Sequence, residues 1–287
     1  MKKIGFIGVG IMGKSMVRNL MKAGYEVHIY ARTKEKAGDV ISEGAIFHGS
    51  IGECVKGCGA VITIVGFPKD VEEVYFDSGN ILDSAEKGAY LIDMTTTSPQ
   101  IAEKLYTEGR KRGFHVLDAP VTGGDAGAKA GTLSILVGGD REDYDACHEL
   151  FEAMGENINY EGKAGCGQHC KMAHQIMIAG ALSGVCEALA YAKKKGLDMD
   201  TFIQSVASGA AGSRQFDTFA PKIIADDYAP GFFMKHFIKD MKLALIEANR
   251  SGLDLVVLSQ VLANCEELEA EGCGDLGTQA LMKFYDI

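Results

Sequence analysis

The sequence contains no tryptophan, only five prolines and no excess of positive charge. Acidic residues outnumber basic residues 39 to 29, which gives a formal net charge of -10. An acidic chain repels nucleic-acid phosphates through its overall field, so general binding of DNA or RNA is disfavoured, although local basic sites for small anions are compatible with it. A charged fraction of 24% is typical of a folded globular protein.

Long apolar runs are missing as well. The opening segment MKKIGFIGVG resembles the start of a secretory signal, but glycines interrupt its apolar run at once. No run reaches the roughly 18 to 20 apolar residues that a membrane span requires. We therefore expect a cytoplasmic protein without a membrane partner, whose eight cysteines stay free of disulfides.

Short apolar runs alternate with amphipathic stretches over the first part of the chain. This alternation predicts an α/β fold, a doubly wound parallel sheet of the Rossmann type with helices on both faces. The predicted strands are Ile4–Val9, Val27–Tyr30, Ala60–Val65, Leu91–Met94 and His115–Leu117, with a further apolar run at Leu133–Val137. The predicted helices between and after them are Met12–Ala23, Lys34–Glu43, Lys69–Phe76, Ile101–Arg112 and Glu142–Met154.

Helical periodicity replaces this alternation after about Glu161. The stretch Gln168–Lys195 contains no proline and is long enough to leave one domain and begin a second. We therefore predict a Rossmann domain over residues 1–162 and an all-helical domain over residues 163–287, with the active site between them. The remaining predicted helices are Met199–Ala207, Gln215–Ile224, Phe233–Ser251 and Ser259–Glu271.

A G-x-G-x-x-G run follows the first predicted strand and opens the first helix, the context that a dinucleotide-binding turn requires. Gly8 permits the tight turn, Gly10 lets the backbone approach a pyrophosphate, and Gly13 allows close packing of helix on strand. The helix N-terminus offers N–H groups to the phosphates. An ordinary strand-to-helix turn is the alternative. The two other predicted contacts in this run are Ile11 and Met12.

The end of the second strand indicates which nicotinamide cofactor is used. Ala31 stands where NAD enzymes usually carry an acidic residue for the ribose hydroxyl, and Arg32 follows it. A guanidinium can pair bidentately with a 2′-phosphate, and Thr33 and Lys34 could add a hydroxyl and a charge. We therefore predict that NADP(H) is preferred and NAD(H) possible. A solvated Arg32 at the surface is the alternative.

Two further loops are expected to border the cofactor, because ligands of such sheets bind beyond the carboxyl ends of the strands. Phe67 and Pro68 follow the strand at Ala60–Val65, and Thr95 opens the threonine run that follows Leu91–Met94. The threonine run could equally cap the next helix, and both roles are compatible.

Four motifs occur in order along most of the chain: the Gly8–Gly13 run, DAPVTGG at Asp118–Gly124, GCGQHCK at Gly165–Lys171, and Gly231-Phe232 with Lys239-Asp240. In this order they resemble the β-hydroxyacid dehydrogenase family, which includes 3-hydroxyisobutyrate dehydrogenases and tartronate semialdehyde reductases. Thr122 replaces the usual serine of the second motif.

The resemblance implies roles for particular residues. Lys171 would be the general acid that protonates a developing alkoxide while the nicotinamide delivers hydride. Thr122, Gly123 and Gly124 would bind the substrate carboxylate, and Lys239 would reach the cofactor region with support from Asp240. Each role has an alternative. Lys171 could be a solvated lysine on the helix surface, and Gly123 and Gly124 could serve only a tight turn that needs glycine. Lys239 and Asp240 could form a plain salt bridge.

The chain departs from the family pattern at two places. His174 stands where an asparagine is usual, and Gln175 follows it; we predict that both face the substrate, although His174 could merely fill space. Arg214 stands where relatives often carry an aromatic residue, and it could bind a second anionic group. Cys166, Cys170 and His174 have a spacing that could place them on one helix face, but we predict no metal site because cysteines often pack as small hydrophobic residues.

The sequence thus predicts an NADP(H)-dependent oxidoreductase that interconverts a short 3-hydroxy acid and its semialdehyde. Its substrate is expected to be a small molecule bearing a carboxylate, and a homodimer or homotetramer is expected. Three alternatives stay open: an imine reductase, which usually lacks the lysine; an enzyme like 6-phosphogluconate dehydrogenase, whose C-terminal part is much longer; and a catalytically weak cofactor-binding scaffold or sensor.

Overall fold

The computed structural model describes residues 1–285. The chain divides between Lys171 and Met172 into an N-terminal and a C-terminal unit. One helix, which begins at Cys166, runs through this division. The predicted domain boundary at residue 162 stays a prediction.

The N-terminal unit is built on one sheet, which has nine strands within the described residues. Their order is β3-β2-β1-β4-β5-β6-β8-β7, with β9 beside β8. The first six strands are parallel, as the alternation of strands and helices predicts. The strands are β1 (Lys3–Ile7), β2 (Glu26–Tyr30), β3 (Ile46–Phe47), β4 (Ala60–Thr63), β5 (Tyr90–Asp93), β6 (His115–Asp118), β7 (Val121–Thr122), β8 (Leu133–Gly139) and β9 (Gly155–Gly162).

The sheet is predominantly parallel, as predicted, but it is not parallel throughout. β8 runs antiparallel to both β6 and β7, and parallel to β9. The connection from Thr122 to Leu133 is shorter than the dozen or more residues that a parallel crossover needs, so the chain turns back instead. β9 was not predicted, because its sequence GENINYEG is polar and its residues are only partly buried.

Helices cover both faces of this sheet. Alternate strand residues enter two separate core clusters: Ile4 and Phe6 of β1 face one cluster, and Ile7 faces the other. Burial on both faces explains why the strands read as nearly continuous apolar runs. The helices are α1 (Ile11–Lys22), α2 (Gly38–Ser42), α3 (Ile51–Val55), α4 (Pro68–Phe76), α5 (Ile81–Ser84), α6 (Pro99–Lys111), α7 (Gly124–Ala130) and α8 (Arg141–Glu152).

The prediction of one continuous helix over Lys34–Glu43 is wrong, because the segment divides into two elements. A 3₁₀ turn at Lys34–Ala37 precedes α2, and Gly38 stands at the junction. Glycine has low helix propensity, so the chain does not continue through it as one α-helix.

The C-terminal unit is helical, as its periodicity predicts. Its helices bury a single apolar core cluster that includes Leu182, Phe237 and Leu262. The helices are α9 (Cys166–Lys194), α10 (Met199–Ala207), α11 (Arg214–Ile224), α12 (Met234–Arg250) and α13 (Val256–Ala270), followed by 3₁₀ segments at Cys273–Asp275 and Thr278–Tyr285.

Helix α9 corrects the expectation that no segment has the length and composition of a membrane span. It has 29 residues, and its best 18-residue window reaches a mean hydropathy of 1.4. Of that window 44% is buried within the protein, and core helices of soluble proteins meet the same criterion. Small and sulfur-containing residues raise its hydropathy without forming an unbroken run of large apolar side chains.

Candidate active site

The carboxyl ends of the parallel strands meet at one edge of the sheet, where ligands of doubly wound sheets bind. Gly8 follows β1, Arg32 lies two residues beyond β2, and Thr95 lies two residues beyond β5. Asp118 is the last residue of β6. Segments that are far apart in the sequence therefore reach the same edge of the N-terminal unit.

The glycine turn after β1 has the shape of a phosphate cradle. Gly8 has a φ of 104°, and a Cβ on it would lie 2.1 Å from the carbonyl oxygen of Ile64. A Cβ on Gly13 would lie 2.0 Å from the carbonyl oxygen of Gly8, so both positions require glycine. A Cβ on Gly10 would meet no atom within 4 Å, which leaves open space before the amino end of α1. This turn fits a dinucleotide pyrophosphate. Its first helical residues are Ile11 and Met12.

Arg32 lies at the solvent-facing end of β2. Its guanidinium Nη1 is 3.3 Å from Oδ1 of Asp70, while 71% of the Arg32 side chain stays exposed. Asp70 is itself buried, and its other oxygen accepts a hydrogen bond of 2.9 Å from the backbone N–H of Phe67. Arg32 is therefore tethered at one nitrogen and open at the others. Thr33 is exposed, and the Lys34 amine lies 5.2 Å from the ring centre of Phe47.

The two loops after β4 and β5 are joined to each other. The Thr95 hydroxyl accepts a hydrogen bond of 3.0 Å from the backbone N–H of Val65. Thr95 is buried, so its side chain holds the loops together, and its predicted contact with the cofactor stays a prediction. Pro68 is the first residue of α4, where its missing N–H costs no helical hydrogen bond.

A buried carboxylate lies beneath these loops. Asp93 is 1% exposed, and its Oδ1 accepts hydrogen bonds from the Thr63 hydroxyl at 2.8 Å and from the Thr95 N–H at 3.1 Å. Burial raises the pKa of Asp93 to about 6, because desolvation disfavours the charged form more than the hydrogen bonds favour it.

Relative to the wild type, we expect Asp93→Asn to be more stable at pH 8 than at pH 4.5, because asparagine carries no charge whose burial costs stability at high pH. The pKa of Asp93 is raised on folding, so its stabilising contribution is complete below about pH 4 and is lost as the pH rises through about 6. A shift of this size corresponds to about 3 kcal/mol. Urea unfolding at pH 4.5 and pH 8, with the exposed Asp254→Asn as control, measures the effect. An equal change in unfolding free energy at both values, relative to the wild type, would refute it.

The predicted substrate loop begins in β7 and ends in α7. Thr122 is paired with Ser134 of β8, and Gly123 and Gly124 follow with φ angles of 127° and 62°. Both angles lie in the region that favours glycine, so these residues form the tight turn given as the alternative, and that turn is compatible with the predicted binding loop. A Cβ on Gly123 would also approach Leu133 to 3.2 Å.

The start of α9 is held tightly against the sheet. The two carboxylate oxygens of Asp118 accept hydrogen bonds from the backbone N–H groups of Gly165 at 2.8 Å and Gln168 at 2.9 Å. A Cβ on Gly167 would lie 2.4 Å from the carbonyl oxygen of Leu136, so only glycine allows this approach. Burial raises the pKa of Asp118, while the two backbone hydrogen bonds oppose that rise.

Gln168 is a residue whose importance the sequence did not indicate. Its side chain is fully buried, and its amide Nε2 donates to the carbonyl oxygen of Thr95 at 2.7 Å. Its Oε1 accepts from the backbone N–H of Thr97 at 3.0 Å. The residue was visible within the third motif, but no sequence signal indicated that its amide reaches the loop after β5.

Lys171 lies one helical turn further along α9. Its side chain is 6% exposed, and its amine donates a hydrogen bond of 2.9 Å to the carbonyl oxygen of Val121. The alternative that Lys171 is a solvated lysine on the helix surface is therefore wrong. Because Val121 immediately precedes Thr122 and the two glycines, the amine lies beside the predicted substrate loop.

In the C-terminal unit, four of the predicted residues are linked by two hydrogen bonds and one ion pair. Gln175 donates through Nε2 to Oδ2 of Asp240 at 2.6 Å, and its Oε1 lies 2.8 Å from Nδ1 of His174. The amine of Lys239 lies 2.8 Å from Oδ1 of Asp240. Gln175 and Asp240 are buried. The predicted pairing of Lys239 with Asp240 is present, and the contacts of His174 and Gln175 with substrate stay predictions.

Arg214 is the exposed first residue of α11, next to Ser213, whose hydroxyl caps that helix.

The cysteines of the third motif are free thiols, and burial together with nearby Glu161 raises the pKa of Cys170. Among residues 1–285 no cluster of three or more histidine, cysteine or acidic side chains has the geometry to hold a metal ion.

Comparison with known proteins assigns these motifs to a family. A sequence model for the "NAD binding domain of 6-phosphogluconate dehydrogenase" matches residues 3–162. A second, for "NAD-binding of NADP-dependent 3-hydroxyisobutyrate dehydrogenase", matches residues 165–285. The chain belongs to the β-hydroxyacid dehydrogenase family. As a member of this family of NAD(P)-dependent hydroxyacid dehydrogenases, it uses a nicotinamide cofactor.

Similar family members span nearly the whole chain. The uncharacterized oxidoreductase YkwC of Bacillus subtilis is 47% identical over 99% of both chains. The 2-hydroxy-3-oxopropionate reductase of Escherichia coli is 35% identical over 99% of this chain and 97% of its own. The NAD-dependent L-serine dehydrogenase of Pseudomonas aeruginosa is 32% identical over 100% of this chain and 98% of its own. The structure of Mycobacterium tuberculosis 3-hydroxyisobutyrate dehydrogenase with L-serine superposes with a TM-score of 0.91 at 27% identity, over the full length of both chains.

Proposed function

We propose that this family member is an NADP(H)-dependent reductase that interconverts a short semialdehyde bearing a carboxylate and the corresponding hydroxy acid, with Lys171 as the general acid. The observation that carries the proposal is the burial of the Lys171 amine against the Val121 carbonyl, directly beside the Thr122–Gly124 loop. Burying a lysine is costly unless its amine is paired, and a structural role alone would be served at lower cost by an apolar side chain.

When bound, the nicotinamide supplies a hydride to the carbonyl carbon. The Lys171 ammonium then gives one proton to the carbonyl oxygen, which becomes the alcohol, and the resulting neutral amine takes a proton back from solvent. In the reverse direction the neutral amine accepts the alcohol proton. The hydroxyl of Thr122 and the N–H groups of Gly123 and Gly124 are proposed to bind the substrate carboxylate, which holds the carbonyl oxygen near the amine.

On the cofactor side, we propose that the glycine turn holds the pyrophosphate and that Arg32 binds the 2′-phosphate of NADP(H). Support comes from Ala31 at the usual acidic position and from the tether of Arg32 to Asp70, which leaves its other nitrogens open to solvent. Thr33, Phe67, Pro68, Thr95 and Lys239 are proposed as further cofactor contacts. His174, Gln175 and Arg214 are proposed to face the substrate.

We also propose that the chain assembles as a homodimer or homotetramer through its C-terminal unit. Large apolar side chains are exposed on α9 and at the start of α13, among them Met177 at 75% and Val256 at 68%. We propose that these side chains form part of an association site, because contiguous exposed apolar surface commonly marks one. Light scattering from the purified chain measures its mass directly, and a monomer would refute this part of the proposal. The cytoplasmic location stays a prediction.

Nicotinamide absorbance tests the reaction class. Purified protein with NADPH is offered glyoxylate, tartronate semialdehyde, succinic semialdehyde and methylmalonate semialdehyde, and in parallel a cyclic imine. We expect turnover of at least one of the carbonyl acids and none of the imine. Reduction of the imine alone would instead indicate an imine reductase, and tight NADPH binding without turnover of any compound would favour the scaffold alternative.

A further inference from the structure

The loop that follows β5 and the first turn of α9 are linked by a single buried side chain. Gln168 donates to the Thr95 carbonyl at 2.7 Å and accepts from the Thr97 N–H at 3.0 Å. Both partners are backbone groups, so the Gln168 amide fixes the course of the loop rather than one side chain on it. Thr95 and Thr97 are buried, as Gln168 is, and water does not compete for these hydrogen bonds.

The same residue is fixed from the other side by the sheet. Its backbone N–H donates to Asp118 Oδ2 at 2.9 Å, and the Gly165 N–H donates to Asp118 Oδ1 at 2.8 Å. Asp118 thereby caps two of the amide groups at the start of α9. Lys171 follows Gln168 by three residues on this helix, so the capped turn sets where the lysine side chain begins.

The link extends to one more loop at this edge of the sheet. The Thr95 hydroxyl accepts from the Val65 N–H at 3.0 Å, which ties the loop after β4 to the loop after β5. On the α9 side of the link, the Lys171 amine donates a hydrogen bond of 2.9 Å to the Val121 carbonyl oxygen. Gln168 thus connects the loops proposed to border the cofactor with the helix turn that carries the proposed acid.

We propose that Gln168 is a positioning residue that holds the cofactor loop at Thr95–Thr97 and the Lys171 turn in a fixed relation, with Asp118 as its anchor. This inference rests on the proposed role of Lys171. The carboxamide is the group that this position requires, because one end must donate and the other must accept. Methionine has a similar length and can do neither, whereas glutamate keeps the acceptor and loses the donor.

Amide hydrogen exchange with NADPH as the only ligand tests the link without turnover. In the wild type, NADPH is expected to slow exchange both in residues 94–98 and in residues 165–171. In Gln168→Met, the protection is expected at 94–98 only, because the bridge to α9 is gone. Gln168→Glu is expected to lie between the two and provides a milder variant if the methionine variant folds poorly. Equal protection of both segments in the wild type and in Gln168→Met would overturn the inference.

Gln279→Met is the matched control. Gln279 is another buried glutamine, and its Nε2 donates to the carbonyl oxygens of Asp227 at 3.0 Å and Ala229 at 3.1 Å in the C-terminal unit. Its loss is expected to lower stability by a comparable amount and to leave the exchange response of 165–171 to NADPH unchanged. A lost response in this control as well would mean that reduced stability, not the bridge, explains the result, and would overturn the inference.

A kinetic isotope effect provides a second readout, using NADPH deuterated at the transferred position and the carbonyl acid that is reduced fastest. Gln168→Met is expected to lower kcat about 10- to 100-fold, the range that a misplacement of about 1 Å produces, and to raise the isotope effect on kcat. A partly unfolded preparation would lower kcat and leave the isotope effect unchanged, which would count against positioning. Lys171→Met separates the two proposals: full turnover in that variant refutes the proposed acid, whereas lost turnover there with wild-type behaviour in Gln168→Met refutes only the positioning role.

Discussion

Replacing Lys171 by methionine is expected to lower kcat by roughly 10²- to 10⁴-fold, the range that general acid catalysis contributes. The methionine fills much of the buried space of the lysine but has no proton to give to the developing alkoxide. NADPH affinity is expected to change little, because Lys171 is not among the proposed cofactor contacts. Stopped-flow absorbance of the nicotinamide gives the rate, and fluorescence titration gives the Kd for NADPH.

Two further variants make this test specific. Lys171→Arg is expected to be nearly as slow as the methionine variant, because a guanidinium keeps its charge but holds its protons too firmly to donate them. Lys194→Met removes an exposed lysine from the same helix and is expected to leave kcat within about twofold, since solvent-exposed substitutions are usually nearly neutral. A wild-type rate in Lys171→Met would refute the proposed mechanism.

Arg32→Ala is expected to raise KM for NADPH by about 10- to 100-fold and to leave KM for NADH within about threefold. Hydrogen bonds to charged groups contribute about 1.5 to 3 kcal/mol, and only NADPH carries the phosphate that Arg32 is proposed to bind. The effect is expected to shrink as salt is raised, because the Arg32 guanidinium is largely exposed. Steady-state kinetics with both cofactors at low and high salt measures all three quantities.

Arg141→Ala is the matched control for the Arg32 variant. Arg141 is also an exposed arginine paired with one aspartate, at 3.0 Å from Asp145, and it lies on α8. The Arg141→Ala variant is expected to leave KM for NADPH and KM for NADH unchanged, since Arg141 is not among the proposed cofactor contacts. Equal losses for NADPH and NADH in Arg32→Ala would show that Arg32 supports the local structure and does not recognise the phosphate.

The sequence was most informative where one residue type is the only one the backbone tolerates. Gly8 and Gly13 are required by contacts near 2 Å, and such positions appear in the sequence as a spaced glycine pattern. The parallel strands were predictable because burial on both faces demands short apolar runs. The polar strand β9 was not predictable, because it carries no apolar run. The apolar run of β8 was recognised at Leu133–Val137, but its antiparallel direction was not, because direction depends on chain connections that local periodicity does not encode.

Within the site, the sequence identified Lys171 through its motif but could not indicate its contact with Val121, which depends on the docking of α9 against the sheet. Gln168 shows the same limit more clearly, because its two partners lie about seventy residues earlier in the chain. Arg32 was predicted from the absence of an acid at Ala31, yet its tether to Asp70 appears only once α4 is placed. Long-range polar contacts of this kind leave no periodic signal.

The most direct test of the proposed function offers the wild-type protein NADPH and NADH in parallel, each with the four carbonyl acids, and follows nicotinamide absorbance. An NADP(H)-dependent reductase should oxidise NADPH in the presence of at least one of these acids, with a kcat/KM for NADPH at least about tenfold above that for NADH, as a charge-assisted phosphate contact requires. A preference for NADH would contradict the proposed role of Arg32, and the absence of turnover with either cofactor would contradict the proposed reaction.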